Sequence, residues 1–180
     1  MSSNGISQRW YQRKQLFSKH LSADKRSWLF DTSSLTARLI RYSSGNFHVE
    51  LLSQIIGRPT LDEAKALNIA TGQYALIRQV HLCCSNKIVV YARTVIPLST
   101  LKGAERSYGT LGSRPLGAML FADRSMRRNE IMVTRLLPEN ALYEKTGAQG
   151  EAVWGRRSVF YVGEKPLLVS EYYLPSLFSY

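Results

Sequence analysis

The sequence predicts an α+β domain: one antiparallel sheet of about six strands, with helices packed on one face. Three observations carry this expectation. Several runs alternate apolar and polar residues with period two. Short turns join those runs, as in hairpins. Helix signals gather at the start and middle of the chain instead of alternating with strands. The 180 residues are 44% hydrophobic with ten Tyr and three Trp, enough for one sizeable core but too short for two comfortable domains. A single domain over 1–180 is expected, with residues 1–20 as a basic, less ordered extension.

Taken in order, Ser22 is placed to cap a helix through Leu29, with Trp28 and Leu29 as core anchors. Ser33 or Ser34 is placed to cap the next helix, whose apolar stripe is Leu35, Leu39 and Ile40. Asn46–Ile55 alternates as a strand, with Phe47, Val49 and Leu51 on one face, and Gly57-Arg58-Pro59 breaks it. Thr60 and Glu63 form a capping box that opens a helix to about Leu67. Gln73–Cys84 and Lys87–Ile96 read as two strands joined by a tight turn at Ser85 and Asn86. Ser99–Tyr108 reads as helical, and Pro115 starts another short helix. Asn129–Leu137 reads as a strand and the polar stretch 138–150 as a loop. A hairpin turning at Gly163, Glu164 and Lys165 closes the chain.

Composition bounds the function. No apolar run approaches the ~20 residues that span a bilayer, and the start, M-S-S-N-G-I-S-Q-R-W-Y, has no apolar signal region. The default is a cytoplasmic protein with no membrane insertion. Cys83 and Cys84 are adjacent on a strand, face opposite sides and fit a reducing compartment. The net charge of +11 invites a nucleic-acid reading. The basic residues are dispersed, however, and no nucleic-acid-binding motif accompanies them. A field that draws small dianions, or a solvated surface, accounts for the same charge.

Charged residues stand out on apolar strand faces. Leu167, Val169, Glu171 and Tyr173 share one face of the last strand. A glutamate there must be paired, protonated or bound to something. Arg78 shares a face with Tyr74, Leu76, Val80 and Leu82, and Arg93 lies beside Val89, Tyr91 and Val95. One acid and two arginines in such places suggest a site for a small anion; a structural Arg–Glu pair that braces the sheet is the competing reading. His20, His48 and His81 are isolated from one another and from the cysteines by any metal-ligand spacing. No phosphate-binding glycine loop or Ser/His/Asp set is present. Chemistry here would run without metal, nucleotide cofactor or covalent nucleophile.

The chain resembles the chorismate pyruvate-lyase family. The likeness rests on ordered blocks: Tyr74-Ala75-Leu76-Ile77-Arg78, Ala92 to Leu101, Pro115-Leu116-Gly117 with Leu120-Phe121, Trp154-Gly155-Arg156-Arg157-Ser158, and Lys165-Pro166-Leu167-Leu168 with Glu171 and Leu174-Pro175. The region 136–153 is longer than the family pattern. The resemblance implies an antiparallel sheet with its ligand enclosed beneath flaps, and cofactor-free loss of pyruvate from chorismate to give 4-hydroxybenzoate, at the start of ubiquinone biosynthesis. By the same likeness Arg78 pairs with the ring carboxylate, and Glu171 is the buried glutamate at the other end of the ligand. Leu116 matches a leucine that offers its backbone N–H, and Leu35 falls where the family has Met in the same role. Arg93 matches an arginine expected to meet the departing pyruvate carboxylate. The partners implied are chorismate and 4-hydroxybenzoate, not nucleic acid, and the protein is expected to be a monomer. The alternative is a non-catalytic domain that binds small aromatic ligands, related to the effector domains of transcription regulators.

Overall fold

A computed structural model describes residues 8–16 and 21–178. The strands are β1 (Tyr11–Gln12), β2 (Phe47–Gly57), β3 (Ala75–Cys84), β4 (Lys87–Pro97), β5 (Arg127–Arg128), β6 (Met132–Leu136), β7 (Val153–Val162) and β8 (Lys165–Tyr173). The α-helices are α1 (Ala23–Leu29), α2 (Leu35–Tyr42), α3 (Leu61–Leu67), α4 (Leu116–Ala122) and α5 (Tyr143–Thr146). All strands join one antiparallel sheet in the order β1-β6-β7-β8-β4-β3-β2, with β5 and β6 pairing successive stretches of β7. The α+β class and the single sheet are as expected. Among the described residues the count is eight strands rather than about six, because two pairings of two residues each, β1 and β5, join the long strands.

The local signals act as the chemistry requires. Ser22 Oγ accepts from Lys25 N, and Ser34 Oγ accepts from Ala37 N, so Ser34 and not Ser33 caps α2. The capping box is complete: Thr60 and Glu63 each satisfy the other's backbone N–H. Pro115 stands one position earlier than expected, as the N-cap of α4. The stretch expected as a helix from Ser99 tightens instead into a 3-10 helix over Gly103–Thr110. The stretch expected as a loop carries α5, because Tyr143 and Thr146 find buried sites against the sheet and Gly147, at φ +79°, ends the turn. Residues 8–16 are not a loose extension. Tyr11 and Gln12 pair with β6, and Thr134 Oγ1 donates to Arg9 O at 2.7 Å. Lys19, His20 and residues 1–7 lie outside the described residues.

Both long hairpins use two-residue turns with positive φ at each central residue: Ser85 (47°) and Asn86 (62°), then Gly163 (51°) and Glu164 (66°). That geometry matches the twist of the strands it joins. The β3–β4 hairpin also holds a bulge. Cys83 pairs with Ile88 but Leu82 pairs with Val90, so Val89 is an extra residue.

Helices cover both faces of the sheet rather than the one expected. On one, α1 and α2 pack Trp28, Leu29, Leu35 and Leu39 onto Val80, Leu82, Val90 and Tyr173. Also on that face, α4 packs Leu116 and Leu120 onto Leu76, Ile96, Phe160 and Leu167. The opposite face takes the two short helices: α3 with Leu67 against Val95 and Leu168, and α5 with Tyr143 against Tyr91 and Tyr172. Each such fully buried side chain contributes about 1.5–3 kcal/mol by leaving water. No helix among the described residues is long and apolar enough to cross a membrane.

Candidate active site

Between the two apolar clusters of the α1–α2–α4 face runs a band that carries five polar side chains, Arg78, Thr94, Arg156, Ser158 and Glu171, among Val80, Ala92 and Val169. Cross-strand register builds it. One row is Val80, Ala92, Glu171 and Arg156; the next is Arg78, Thr94, Val169 and Ser158. Above the band lies a cavity of about 50 Å³, more than the ~10–15 Å³ one water needs. Its floor is the band itself, and its roof is the first residues of two helices, Leu35 and Leu116.

Arg78 is 2% exposed. Its Nη2 donates to Gly112 O at 2.8 Å and Arg114 O at 2.9 Å, and its Nε is buried with no partner among the described residues. Burial alone pulls its pKa below the ordinary arginine value, with no nearby carboxylate to oppose the shift. A guanidinium so held presents a free donor edge to the cavity and lacks an anion.

Glu171 lies two strands away. By strand spacing and rise, its Cα stands roughly 12 Å from that of Arg78, which leaves room for a six-membered ring between the two side chains. Arg156 Nε donates to Glu171 Oε2 at 2.6 Å, while Arg156 Nη1 reaches Asp31 O at 2.5 Å and Trp28 O at 3.2 Å. Burial would lower the Arg156 pKa, but the charge and hydrogen bond of Glu171 outweigh it and hold the group firmly protonated. Glu171 Oε1 accepts no hydrogen bond among the described residues. The pair therefore fixes one carboxylate oxygen and leaves the other for a ligand.

Leu35 and Leu116 are 6% and 7% exposed and close the cavity from above. Each opens its helix, so its backbone N–H has no partner within that helix. Gly117 lets the two roofs meet: a Cβ there would stand 2.6 Å from Thr36 Oγ1.

Arg93 does not join this site. It lies on the opposite face, where its Nε and Nη2 donate to the Glu63 oxygens at 2.6 and 3.0 Å. The bulge is the reason. A two-residue turn without it would put Arg93 directly opposite Arg78; the extra Val89 shifts the register so that Thr94 takes that place and Arg93 turns away. Two cavity arginines were not anticipated as site residues. Arg156 shares a face of β7 with Trp154 and Phe160, the same pattern that singled out Glu171. Arg128 is one of the dispersed basic residues that no apolar strand pattern singles out. Among the described residues, no group of three His, Cys, Asp or Glu side chains could hold a metal ion.

A helix-roofed antiparallel sheet over a charged cavity defines a fold shared with regulator domains. The effector domain of PhnF from Mycobacterium smegmatis superposes with a TM-score of 0.57 at 14% identity, over 75% of this chain and 88% of that one. A GntR-family transcriptional regulator from Bacillus cereus gives 0.56 at 12% identity, over 75% and 96%. The sequence goes further than the fold: residues 6–180 match the chorismate lyase family, and the chain belongs to it. A protein of Methylococcus capsulatus named "Probable chorismate pyruvate-lyase" is 40% identical over 85% of this chain and 96% of its own length. A protein of the same name from Coxiella burnetii is 33% identical over 94% and 92%.

Proposed function

We propose that this chain is a chorismate pyruvate-lyase that converts chorismate to 4-hydroxybenzoate and pyruvate, at the start of ubiquinone biosynthesis. One observation carries the reading beyond family membership. Among the described residues three guanidinium groups, Arg78, Arg128 and Arg156, line the cavity against one carboxylate, Glu171, a surplus of two positive charges. Chorismate is a dianion and neutralises that surplus.

In this reading the Nε edge of Arg78 takes the ring carboxylate, and Glu171 Oε1 accepts from the ring hydroxyl. The backbone N–H groups of Leu35 and Leu116 close on the ligand from the roof. The C–O bond to the enolpyruvyl group breaks, and the hydrogen on the hydroxyl-bearing carbon leaves as a proton. Its electron pair completes the aromatic ring, and the released enolpyruvate takes up a proton to become pyruvate. Aromatisation drives the step, so the protein needs only to hold the reactive conformer and to stabilise charge on the leaving group. The proposed working unit is a cytoplasmic monomer that needs neither a cofactor nor nucleic acid.

Mixing the purified protein with chorismate in chelator-containing buffer tests this. Equal yields of 4-hydroxybenzoate and pyruvate are expected. Binding without conversion would favour the effector-domain reading, and a strict requirement for metal or nucleotide would overturn the mechanism.

A further inference from the structure

Arg128 is left without an anion. It lies in β5, opposite Phe160 of β7, with its guanidinium 5.0 Å from the centre of that ring. Its Nε donates to Ser158 Oγ at 3.0 Å, and its Nη1 to Asp31 O at a long 3.4 Å. Both partners are neutral, and the Asp31 carboxylate is engaged elsewhere, by Arg38 at 2.8 Å. No carboxylate among the described residues lies within ion-pairing distance of Arg128. Burial lowers its pKa, and the neighbouring charge of Arg156 lowers it further, against a weaker pull from Glu171. A half-buried cation beside a second cation, in a cavity wall, is a costly arrangement unless an anion arrives.

Its position says which anion. Arg78 stands on β3 at one side of the cavity, Glu171 on β8 in the middle, and Arg128 beyond β7 at the far side. Arg78 is placed for the ring carboxylate and Glu171 for the ring hydroxyl. The far wall therefore faces whatever hangs from the ring beside the hydroxyl. In chorismate that is the enolpyruvyl ether, which ends in a second carboxylate.

We infer that Arg128, held by Ser158, binds the carboxylate of the enolpyruvyl arm and sorts the dianionic substrate from the monoanionic product. The inference rests on the chorismate reading and fills the role expected of Arg93, which the bulge turns to the other face. When the C–O bond breaks, its electron pair stays on the departing enolpyruvate oxygen, and the arm becomes more negative while still beside Arg128. After pyruvate leaves, 4-hydroxybenzoate keeps its contacts to Arg78, Glu171 and the Leu35 and Leu116 roof, and has no group left for Arg128.

Calorimetry with two stable aromatic probes separates the contributions. One is 3-(carboxymethoxy)-4-hydroxybenzoate, which carries the second carboxylate; the other is 3-ethoxy-4-hydroxybenzoate, which does not. Arg128→Gln should weaken the dicarboxylate at least 30-fold and leave the ethoxy compound and 4-hydroxybenzoate within threefold of wild type. Arg128→Lys should recover part of the loss, since a point charge replaces a planar fork. Steady-state turnover of Arg128→Gln should show kcat/KM for chorismate down at least 100-fold. Equal weakening of all three ligands, or none of the dicarboxylate, would overturn the inference. Failure of wild type to convert chorismate would overturn the lyase reading instead, and the binding comparison does not depend on it.

Discussion

Arg156 and Glu171 face each other directly across β7 and β8, and the guanidinium is the more deeply buried, 2% exposed against 15% for the carboxylate. The arginine is neutralised within the protein and the carboxylate is steered by it. Removing one partner of such a pair costs about 3–5 kcal/mol, whereas replacing both with apolar residues is often close to neutral. Arg156→Met should therefore lower the melting temperature by roughly 6–20 °C, and the double variant Arg156→Met, Glu171→Leu should recover most of that. A single variant as stable as wild type would show that the charges are not coupled.

Glu171→Gln keeps the shape and removes the charge. Because the free oxygen is proposed to hold the ring hydroxyl, product affinity and kcat should each fall by about tenfold, the weight of one hydrogen bond to a charged group. General-base catalysis is worth about 10²–10⁴. A fall in kcat of that size with product affinity unchanged would make Glu171 the base, and turnover assays with product titration decide between the two.

Among the described residues Arg78 has only carbonyl partners, Gly112 O and Arg114 O. Arg78→Ala should weaken 4-hydroxybenzoate by about 2–5 kcal/mol, as for truncating one side of a buried charge pair. The ligand-free protein should lose little stability, because no internal carboxylate is stranded. Arg93→Met, on the other face, should leave product affinity within about twofold, a change of no more than ~0.4 kcal/mol. Normal affinity in Arg78→Ala with a collapsed fold would assign Arg78 to structure.

The α+β class, the capped helices and both hairpins were legible because each rests on residues adjacent in sequence: Ser22, Ser34, the Thr60–Glu63 box, and the turns at Ser85-Asn86 and Gly163-Glu164. Glu171 and Arg78 were legible because a charge on an apolar strand face violates period two. Which face a strand residue takes across a hairpin depends on register, and one bulged residue, Val89, reverses it. Alternation within a strand carries no sign of that, so Arg93 was drawn into the site. Arg128 was missed for the opposite reason: its strand is two residues long and shows no periodicity at all.

The contact between α2 and α4 predicts a paired rescue. A Cβ on Gly117 would meet Thr36 Oγ1 at 2.6 Å but Thr36 Cβ only at 3.5 Å. Gly117→Ala should lift α4 from α2, cost about 1–3 kcal/mol as overpacking does, and speed product release through the loosened roof. Adding Thr36→Ala removes the offending oxygen and should restore both stability and the release rate. If the second change brought no recovery, steric pressure at this contact would not be the cause.

Glu63 serves two structures at once. Its carboxylate accepts from Thr60 N at 2.9 Å, closing the cap of α3, and takes two hydrogen bonds from Arg93 on β4. Burial would raise its pKa, but the Arg93 hydrogen bond and charge, with the Thr60 contacts, hold it below the ordinary value of 4.5. A carboxyl group depressed in the folded state stabilises fully above its unfolded pKa, and that stability is lost as pH falls through the folded value. The window is thus below about pH 4.5. Glu63→Gln keeps a side-chain acceptor for the cap but strands the Arg93 charge, so it should cost about 3–5 kcal/mol at pH 7. Denaturant unfolding of both proteins between pH 7 and pH 3 should show a gap that is constant down to about pH 5 and then closes, as protonation takes from wild type what the substitution has already removed. A gap that stays the same at pH 3, or that widens in acid, would mean that the ionised pair is not what ties α3 to the sheet.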